Sequence, residues 1–332
     1  MSGDPVVCTY QGAFGPPHLG HQGAAARIGE KLLELYPGRP ITVLFMPTSN
    51  VSSKQSLSKK IASGTTGSNA SPYISEQERK TILDKYSSVL NTEFEGRGVT
   101  FETSEIEYEL GPSKGTATIH TLRKLKEAYP DATLVLAMGR DNGVQFPWWA
   151  EVQNYDALID KILVVDRQGF SMNPANRFAP GATFVGSDVP IEFEGQAPWA
   201  IKLNNANNES SKKKYSASEI FASENEVKTA MEMLMDKMYL LDPPLSISST
   251  NVRAALAANQ NVSGTVGLDA AKYLLEKRIG KRSKNEVKQM ELKKKVLEQL
   301  TQKVEKQLGG RGRKTRAKKM KSKRGSKATR KH

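Results

Sequence analysis

Short apolar runs alternate along this chain with stretches in which apolar residues recur every three or four positions. The runs predict buried β-strands, and the spaced residues predict helices with one apolar face. Because strands that alternate with helices usually form a parallel sheet, we predict an α/β fold with a parallel sheet flanked by helices. The predicted strands cover residues 6–10, 41–46, 133–138 and 161–165.

Helices are predicted at four places. The first begins near His21 and ends at Pro37-Gly38, because proline and glycine stop helices. Two more are expected around residues 76–90 and 118–128, and residues 219–241 predict a helix followed by a short strand. The apolar face of the first helix is formed by Ala25, Ile28, Leu32 and Leu35.

The pattern predicts one domain over residues 1–280, followed by two further segments. Within the domain, residues 168–215 lack periodicity and are predicted to be an insertion. A Ser-, Thr-, Gly- and Lys-rich stretch near residues 49–71 predicts a surface loop. Residues 281–308 predict a C-terminal amphipathic helix, and residues 309–332 predict a disordered polybasic tail.

Most of the net charge of +14 belongs to that tail, which holds 12 Lys and Arg and no acidic residue. The remaining 308 residues carry 37 basic and 35 acidic side chains and are nearly neutral. Such a tail is expected to bind nucleic acid weakly and without sequence preference, or an import factor. We therefore predict a nuclear location, with the cytoplasm as the alternative.

Other features of the sequence restrict the class of protein. No segment reaches the roughly 18 consecutive apolar residues of a membrane span, and no secretory signal is expected. Cys8 is the only cysteine, so an intrachain disulfide is excluded. Because Cys8 lies within an apolar run, it is expected to be a small buried residue rather than a nucleophile. A homo-oligomer is compatible with the sequence.

A glycine- and proline-rich turn links the first strand to the first helix and carries His18 and His21. The unpaired amides at a helix start bind anions, and imidazoles donate hydrogen bonds to phosphate oxygens. Gly12, Gly15 and Gly20 would let the backbone approach a ligand closely. The pattern alone fits a phosphate site, a structural histidine pair or a metal site, although the neighbourhood lacks a third metal ligand.

A second hydroxyl-rich helix start lies far along the chain, in residues 246–253. Ser249 and Thr250 offer hydroxyl donors there, and Arg253 offers a planar fork of charged donors. An ordinary serine cap with a solvent-facing arginine is the alternative.

These two segments resemble the two signatures of the nucleotidylyltransferase superfamily. Residues 12–21 resemble GxFxPxHxGH, and residues 247–253 resemble ISSTxIR with Val252 in place of isoleucine. Between them, residues 138–149 are similar to the GxDxxxxF…W segment of the nicotinamide and nicotinate mononucleotide adenylyltransferases. Residues 118–123 are similar to their YTxxTL segment, with Ala117 in place of tyrosine.

The resemblance spans roughly residues 5–280 and implies a Rossmann-like fold. It also implies transfer of the adenylyl group of ATP to nicotinamide or nicotinate mononucleotide, with release of pyrophosphate and with Mg²⁺ bridging phosphates. The implied catalytic residues are His18, His21 and Arg253. The implied ATP-binding residues are Gly12, Phe14, His18, His21, Lys54, Gly139, Asp141, Ser249, Thr250 and Arg253.

For the mononucleotide, the resemblance implies Thr118, Trp148 and Trp149, and the spacing after Phe146 favours Trp149 for stacking on the pyridine ring. Some of these side chains have simpler alternatives. Asp141 would bind ribose or cap a helix, either tryptophan would pack against the insertion, and Lys54 would contact phosphate or remain solvated. An arginine on the following helix, Arg79, is a further candidate.

Two rival functions stay open at the level of sequence. One is a nucleotidylyltransferase for another acceptor, such as pantetheine phosphate or a cytidylyl-transfer substrate, although the tryptophan segment argues against it. The other is an inactive scaffold whose basic tail binds nucleic acid.

Overall fold

A six-stranded parallel sheet with helices on both faces forms the centre of the protein, as predicted. The computed structural model describes residues 3–48, 70–71, 74–110, 117–167, 181–193, 224–243, 245, 247–258, 260–277 and 282–283. The predicted loop covers residues 49–71, of which Ala70–Ser71 form a short strand and the others, Lys54 among them, lie outside the described residues. Most of the insertion and the polybasic tail also lie outside the described residues. The nuclear location inferred from the tail therefore stays a prediction.

The strands of the main sheet follow the order β4-β2-β1-β5-β6-β7. Two short strands, β3 and β8, pair antiparallel with each other in a separate ladder. The strands are β1 (Val6–Gly12), β2 (Ile41–Pro47), β3 (Ala70–Ser71), β4 (Val99–Thr103), β5 (Thr133–Gly139), β6 (Lys161–Val165), β7 (Met238–Leu241) and β8 (Arg282–Ser283).

Helices of very different length cover the sheet, and two single 3₁₀ turns follow α5, at Phe146–Trp148 and Val152–Asn154. No described helix is long and apolar enough to cross a membrane. The helices are α1 (Leu19–Leu35), α2 (Glu76–Glu93), α3 (Ile106–Leu110), α4 (Thr118–Ala128), α5 (Arg140–Gly143), α6 (Glu224–Met235), α7 (Ser249–Ala257), α8 (Ser263–Val266) and α9 (Leu268–Glu276).

The core has two layers because successive residues of a strand point to opposite faces of the sheet. In β1, Val6 and Cys8 join a cluster with α1, α2 and α9, whereas Val7 joins a cluster with α4 and α6. Both faces are thus covered, which explains why the central strands are nearly continuous apolar runs. Cys8 is fully buried, as its sequence context predicted.

Helix α2 begins where its sequence specifies. Ser75 accepts a hydrogen bond from the Glu78 backbone amide, and the Glu78 carboxylate accepts one from the Ser75 amide at 2.8 Å. This reciprocal pair satisfies two amides that the first helical turn leaves unpaired. The helix then buries Ile82, Leu83 and Leu90 against the sheet.

The predicted insertion contributes to the core although its sequence shows no periodicity. Residues 181–193 contain a bridge between Thr183 and Pro190, and they bury Phe184, Ile191 and Phe193 beside α4 and α6. The C-terminal helix predicted over 281–308 needs a correction at its start. There Arg282–Ser283 form β8, because they pair with β3, and the rest of that range lies outside the described residues.

Candidate active site

The strand order reverses between β1 and β5, and the carboxyl ends of these two neighbours form a crevice in the sheet. Ligands of open α/β sheets bind at such a reversal point. The two strands end at Gly12 and Gly139, and each leads directly into one of the segments predicted to bind nucleotide. The fold thus brings the histidine turn and the Asp141 segment to the same edge of the sheet.

His18 and His21 lie at the start of α1 and stack on each other. His18 is the N-cap residue, and its backbone amide donates to His21 Nδ1 at 3.1 Å. The two ring centroids are 3.6 Å apart, and His18 is only 5% exposed. Because Nδ1 of His21 accepts a hydrogen bond, the neutral ring carries its proton on Nε2. This nitrogen is then a hydrogen-bond donor for a ligand.

Both imidazoles are neutral in this environment. Burial, assisted by the charge of Arg167, lowers the pKa of His18 to about 4. Burial also holds the pKa of His21 well below its usual range, and the neighbouring His18 and Arg167 add to the effect. At neutral pH the pair therefore offers uncharged N–H donors, and the positive charge at this edge comes from arginines and from the start of α1.

We expect the free energy of unfolding to fall as the pH drops from about 6.5 to about 4, because an unfolded histidine has a pKa of about 6.5. Below that pH the unfolded chain binds protons that the folded chain excludes. The depressed pKa of His18 alone corresponds to about 3 kcal/mol over this range. Urea unfolding at pH 7.5, 6 and 5 would measure the loss. The double variant His18→Gln, His21→Gln should flatten the slope, and an unchanged slope would contradict the assignment.

The second signature lies directly against the histidine turn. Arg253, in the second turn of α7, donates from Nη1 to the Gly15 carbonyl at 2.5 Å and from Nη2 to Thr250 Oγ1 at 3.0 Å. Ser249 Oγ donates to the Pro16 carbonyl at 3.1 Å. Two segments more than 230 residues apart are thus joined by direct hydrogen bonds, and both helix starts share one edge of the sheet.

The ring of Phe14 packs against the histidine turn on the side of the core. Its ring is 1% exposed and meets the edges of His21, Tyr10 and Phe45 at centroid distances of 4.9 to 5.9 Å. A side chain at Gly12 would place its Cβ 3.0 Å from this ring, which is too close for most residues. Phe14 itself has a φ of 43°, in the left-handed region. Phe14 therefore packs against His21, and Gly12 leaves room for its ring, while the predicted contact of Phe14 with ATP stays a prediction.

Asp141 lies on the β5 side of the crevice, in the short helix α5. The N-cap of that helix is Gly139, so the alternative in which Asp141 caps a helix is wrong. A Cβ at position 139 would lie 2.8 Å from Asp141 Oδ1, so a larger residue there would displace the carboxylate from its present position. Burial and the nearby Asp141 carboxylate both raise the pKa of the Tyr10 phenol, which places Asp141 across the crevice from β1.

The residues predicted to bind the mononucleotide gather on the other face of the sheet. Trp149 is half-buried and packs against Phe146 and Tyr155, with ring centroids 5.3 and 6.2 Å away. Trp148 packs against the same core layer, as do residues of the insertion. Thr118 begins α4, is 6% exposed, and donates from its hydroxyl to Gln11 Oε1 at 2.6 Å.

Two arginines beside the site are buried, of which the sequence predicted Arg79 as a candidate and did not indicate Arg140. Arg79 is fully buried, donates to the Ala13 carbonyl at 2.8 Å, and lies over the Tyr108 ring. It therefore supports the histidine turn from α2. Arg140 is 8% exposed and lies over Phe184, with Nη1 3.9 Å from Asp166. Its position between Gly139 and Asp141 was the available signal.

Comparison with known proteins supports the resemblance stated above. No family model matches the chain. Over 160 residues the chain is 28% identical to a probable nicotinate-nucleotide adenylyltransferase of Aquifex aeolicus, a match that covers 48% of this chain and 76% of that relative. A probable nicotinate-nucleotide adenylyltransferase of Bacteroides fragilis is 38% identical over 73 residues, which are 22% of this chain. The predicted resemblance to nicotinate-nucleotide adenylyltransferases is confirmed.

The match to these adenylyltransferases is partial in sequence. The chain spans 35% of the length of the first curated relatives that it matches. Among solved structures, the nicotinic acid mononucleotide adenylyltransferase of Plasmodium falciparum complexed with NaAD is 13% identical, with a TM-score of 0.46 over 83% of this chain and 97% of that chain.

Proposed function

We propose that the chain transfers the adenylyl group of ATP to a pyridine mononucleotide, with nicotinate mononucleotide as the acceptor in keeping with its curated relatives. One observation carries the proposal: Arg253 and Ser249 are hydrogen-bonded to the turn that holds His18 and His21. A single triphosphate placed along this edge would meet donors from both helix starts. A structural histidine pair or an ordinary serine cap would not require this convergence.

The reaction would be a direct displacement at the α-phosphorus of ATP. A 5′-phosphate oxygen of the mononucleotide forms the new P–O bond, the bond from the α-phosphorus to the bridging oxygen breaks, and pyrophosphate leaves with that electron pair. The attacking group is already an anion, so no protein base is needed. The protein would act by aligning the two phosphates and by stabilising charge on the transferring group.

Each donor would have its own part in this displacement. The neutral His21 would donate from Nε2 to a phosphate oxygen without first losing a proton. The start of α1 would supply backbone amides to the same group. Arg253, Ser249 and Thr250 would hold the β- and γ-phosphates, which depart together as pyrophosphate. The Arg253 guanidinium keeps its charge for this role because arginine is protonated throughout the physiological range.

The acceptor and the nucleoside would lie toward opposite faces of the sheet. Asp141 would accept hydrogen bonds from ribose hydroxyls at the end of β5, where Gly139 lets the carboxylate fold back toward the strand. Trp149 would stack on the pyridine ring, because its half-buried indole already stands in an aromatic cluster with Phe146 and Tyr155.

Mg²⁺ is proposed to accompany ATP, with phosphate and water oxygens as its ligands. Across the part of the chain that the structure describes, no group of three or more His, Cys, Asp or Glu side chains could hold a metal ion. Such a site fits an ion that keeps most of its water and binds through substrate phosphates. The ion would neutralise charge on the triphosphate, and Arg253 would neutralise the remainder.

The test is pyrophosphate release by the purified chain with ATP, Mg²⁺ and a panel of acceptors. We expect turnover with nicotinate mononucleotide and formation of the corresponding dinucleotide, identified by mass spectrometry. Nicotinamide mononucleotide, pantetheine phosphate and a cytidylyl-transfer substrate pair complete the panel. Turnover only with one of the last two would replace the proposed acceptor. If ATP binds but no acceptor releases pyrophosphate, the proposed enzyme activity is wrong.

A further inference from the structure

At the carboxyl end of β1, the buried polar residue Gln11 has an unusual position. It comes directly before Gly12 and the histidine turn, yet it is only 6% exposed. Its neighbours along the same face of the strand, Val7 and Thr9, point into the core layer that contains Trp149. Gln11 therefore lies on the face where the pyridine mononucleotide is proposed to bind.

The oxygen of the Gln11 side-chain amide makes a hydrogen bond with a described residue, and the nitrogen makes none. Oε1 accepts the hydrogen bond from Thr118 Oγ1 at 2.6 Å, and in this arrangement Nε2 is left to donate to another group. Nε2 is buried and has no hydrogen-bond partner among the described residues. A buried N–H group without a partner costs roughly 1–3 kcal/mol, so a polar side chain held in this state suits a ligand that completes it.

The surroundings of Gln11 hold further hydrogen-bond donors. Thr118 is the first residue of the 11-residue helix α4, and the N-cap of this helix makes no side-chain capping bond. The Tyr155 phenol is buried beside the Thr118 hydroxyl and the Ile119 amide, from which its oxygen can accept hydrogen bonds, so its own O–H is left to donate. A helix start carries partial positive charge. A group that accepts hydrogen bonds is therefore favoured.

We propose that Gln11 determines acceptor selectivity by donating from Nε2 to the carboxylate on the pyridine ring of nicotinate mononucleotide. The inference rests on the proposed function. A carboxylate offers lone pairs on both oxygens, so Gln11 and the Tyr155 hydroxyl can both donate to it. The amide of nicotinamide would turn its own N–H group toward one of these donors. Thr118 is then a positioning residue, because its hydroxyl holds the Gln11 amide in the donating orientation.

Two substitutions at Gln11 distinguish the effect of the Nε2 donor from the effect of the side-chain volume. Gln11→Met keeps the length of the side chain and removes the donor, so the KM for nicotinate mononucleotide should rise about tenfold or more, with the KM for ATP within about twofold of wild type. Gln11→Glu keeps the acceptor for Thr118 and replaces the donor with a charge. At pH 8 it should lower kcat/KM for nicotinate relative to nicotinamide mononucleotide by about a hundredfold.

Thr9→Val is the matched control. Thr9 lies on the same face of β1, is fully buried, and has a hydroxyl without a partner among the described residues. It stands three residues before the strand end at Gly12, so its loss should leave both KM values unchanged. Thermal melts of all three variants check that they fold, and Gln11→Glu, which preserves the bond to Thr118, keeps the test open if Gln11→Met unfolds.

The outcomes distinguish the selectivity proposal from the proposed function. The wild type is active in the first case. If Gln11→Met then has an unchanged KM for nicotinate mononucleotide, or if its KM values for ATP and for the mononucleotide rise equally, the role of Gln11 is overturned and the proposed function still stands. Wild type without turnover overturns the function. In that case, calorimetric titration of nicotinate mononucleotide still decides on Gln11: weaker binding to Gln11→Glu supports the contact, and equal binding overturns it.

Discussion

Replacing His21 with asparagine is expected to lower kcat/KM for adenylyl transfer by about 10²- to 10³-fold, the usual cost of removing one donor to a charged transition state. The asparagine Oδ1 occupies nearly the position of Nδ1 and can still accept the bond from the His18 backbone amide. The start of α1 is thus preserved, while the Nε2 donor is lost. Pyrophosphate release under single-turnover conditions measures the effect on the chemical step.

The matched variant is His21→Gln, whose amide nitrogen reaches the position of Nε2. It should retain at least about ten times the activity of His21→Asn, because a neutral donor is again available. Both variants should melt close to the wild-type temperature. Equal activity of His21→Asn and wild type would exclude His21 from phosphate binding, whereas equal loss in both variants would assign it a packing role beside Phe14.

The second large effect is expected at Arg253. Arg253→Ala should reduce kcat/KM by about a hundredfold or more, because the side chain would bind the departing phosphates. The same change removes the bond to the Gly15 carbonyl, and a hydrogen bond with a charged partner contributes about 1.5–3 kcal/mol to stability. Arg253 therefore differs from His21 in that both turnover and melting temperature should fall.

Arg253→Lys separates these two contributions. A lysine keeps the charge but not the planar fork, so it cannot bond the Gly15 carbonyl and a phosphate in the same way. We expect partial recovery of stability with little recovery of kcat. Arg27→Ala, which removes an exposed arginine from α1, serves as the control for loss of charge alone. Full activity in Arg253→Ala would show that the hydrogen bonds between the two signature segments only stabilise the histidine turn.

Four of the five strands predicted from the sequence are buried on both faces, and the fifth, β7, lies at an edge of the sheet. Continuous apolar runs identified β1, β2, β5 and β6, and their observed bounds extend the predictions by at most two residues. Strand β4 was missed because Thr100 and Glu102, which face solvent, interrupt its apolar residues. Its alternation of buried and exposed residues was the signal for it.

The insertion shows the opposite limit of sequence patterns. Phe184, Ile191 and Phe193 are buried, yet they belong to a segment with a single bridge rather than a helix or a long strand. Without a regular element there is no periodicity to detect, so only tertiary packing reveals that these residues belong to the core. The packing of Phe184 on Arg140 depends on this segment in the same way.

The candidate site was predictable where chemistry coincides with a local motif. The histidine turn and the hydroxyl-rich helix start are each visible in a few consecutive residues. Their hydrogen bonds to each other are not, since they join residues 233 and 238 positions apart. Gln11 and Arg140 were missed because a single polar residue at a strand end has no pattern, and its meaning comes from burial beside Thr118 or Phe184.

The antiparallel pairing of β3 with β8 limits where this protein can be trimmed for expression. Ala70–Ser71 obtain their ladder partners from Arg282–Ser283, which follow the last described helix. A shortened gene that stops at codon 280 would remove those partners, and β3 would then lack its partner strand. A stop codon placed after Ser283 would discard the basic tail while keeping the ladder, and is the better boundary for purification and crystallisation.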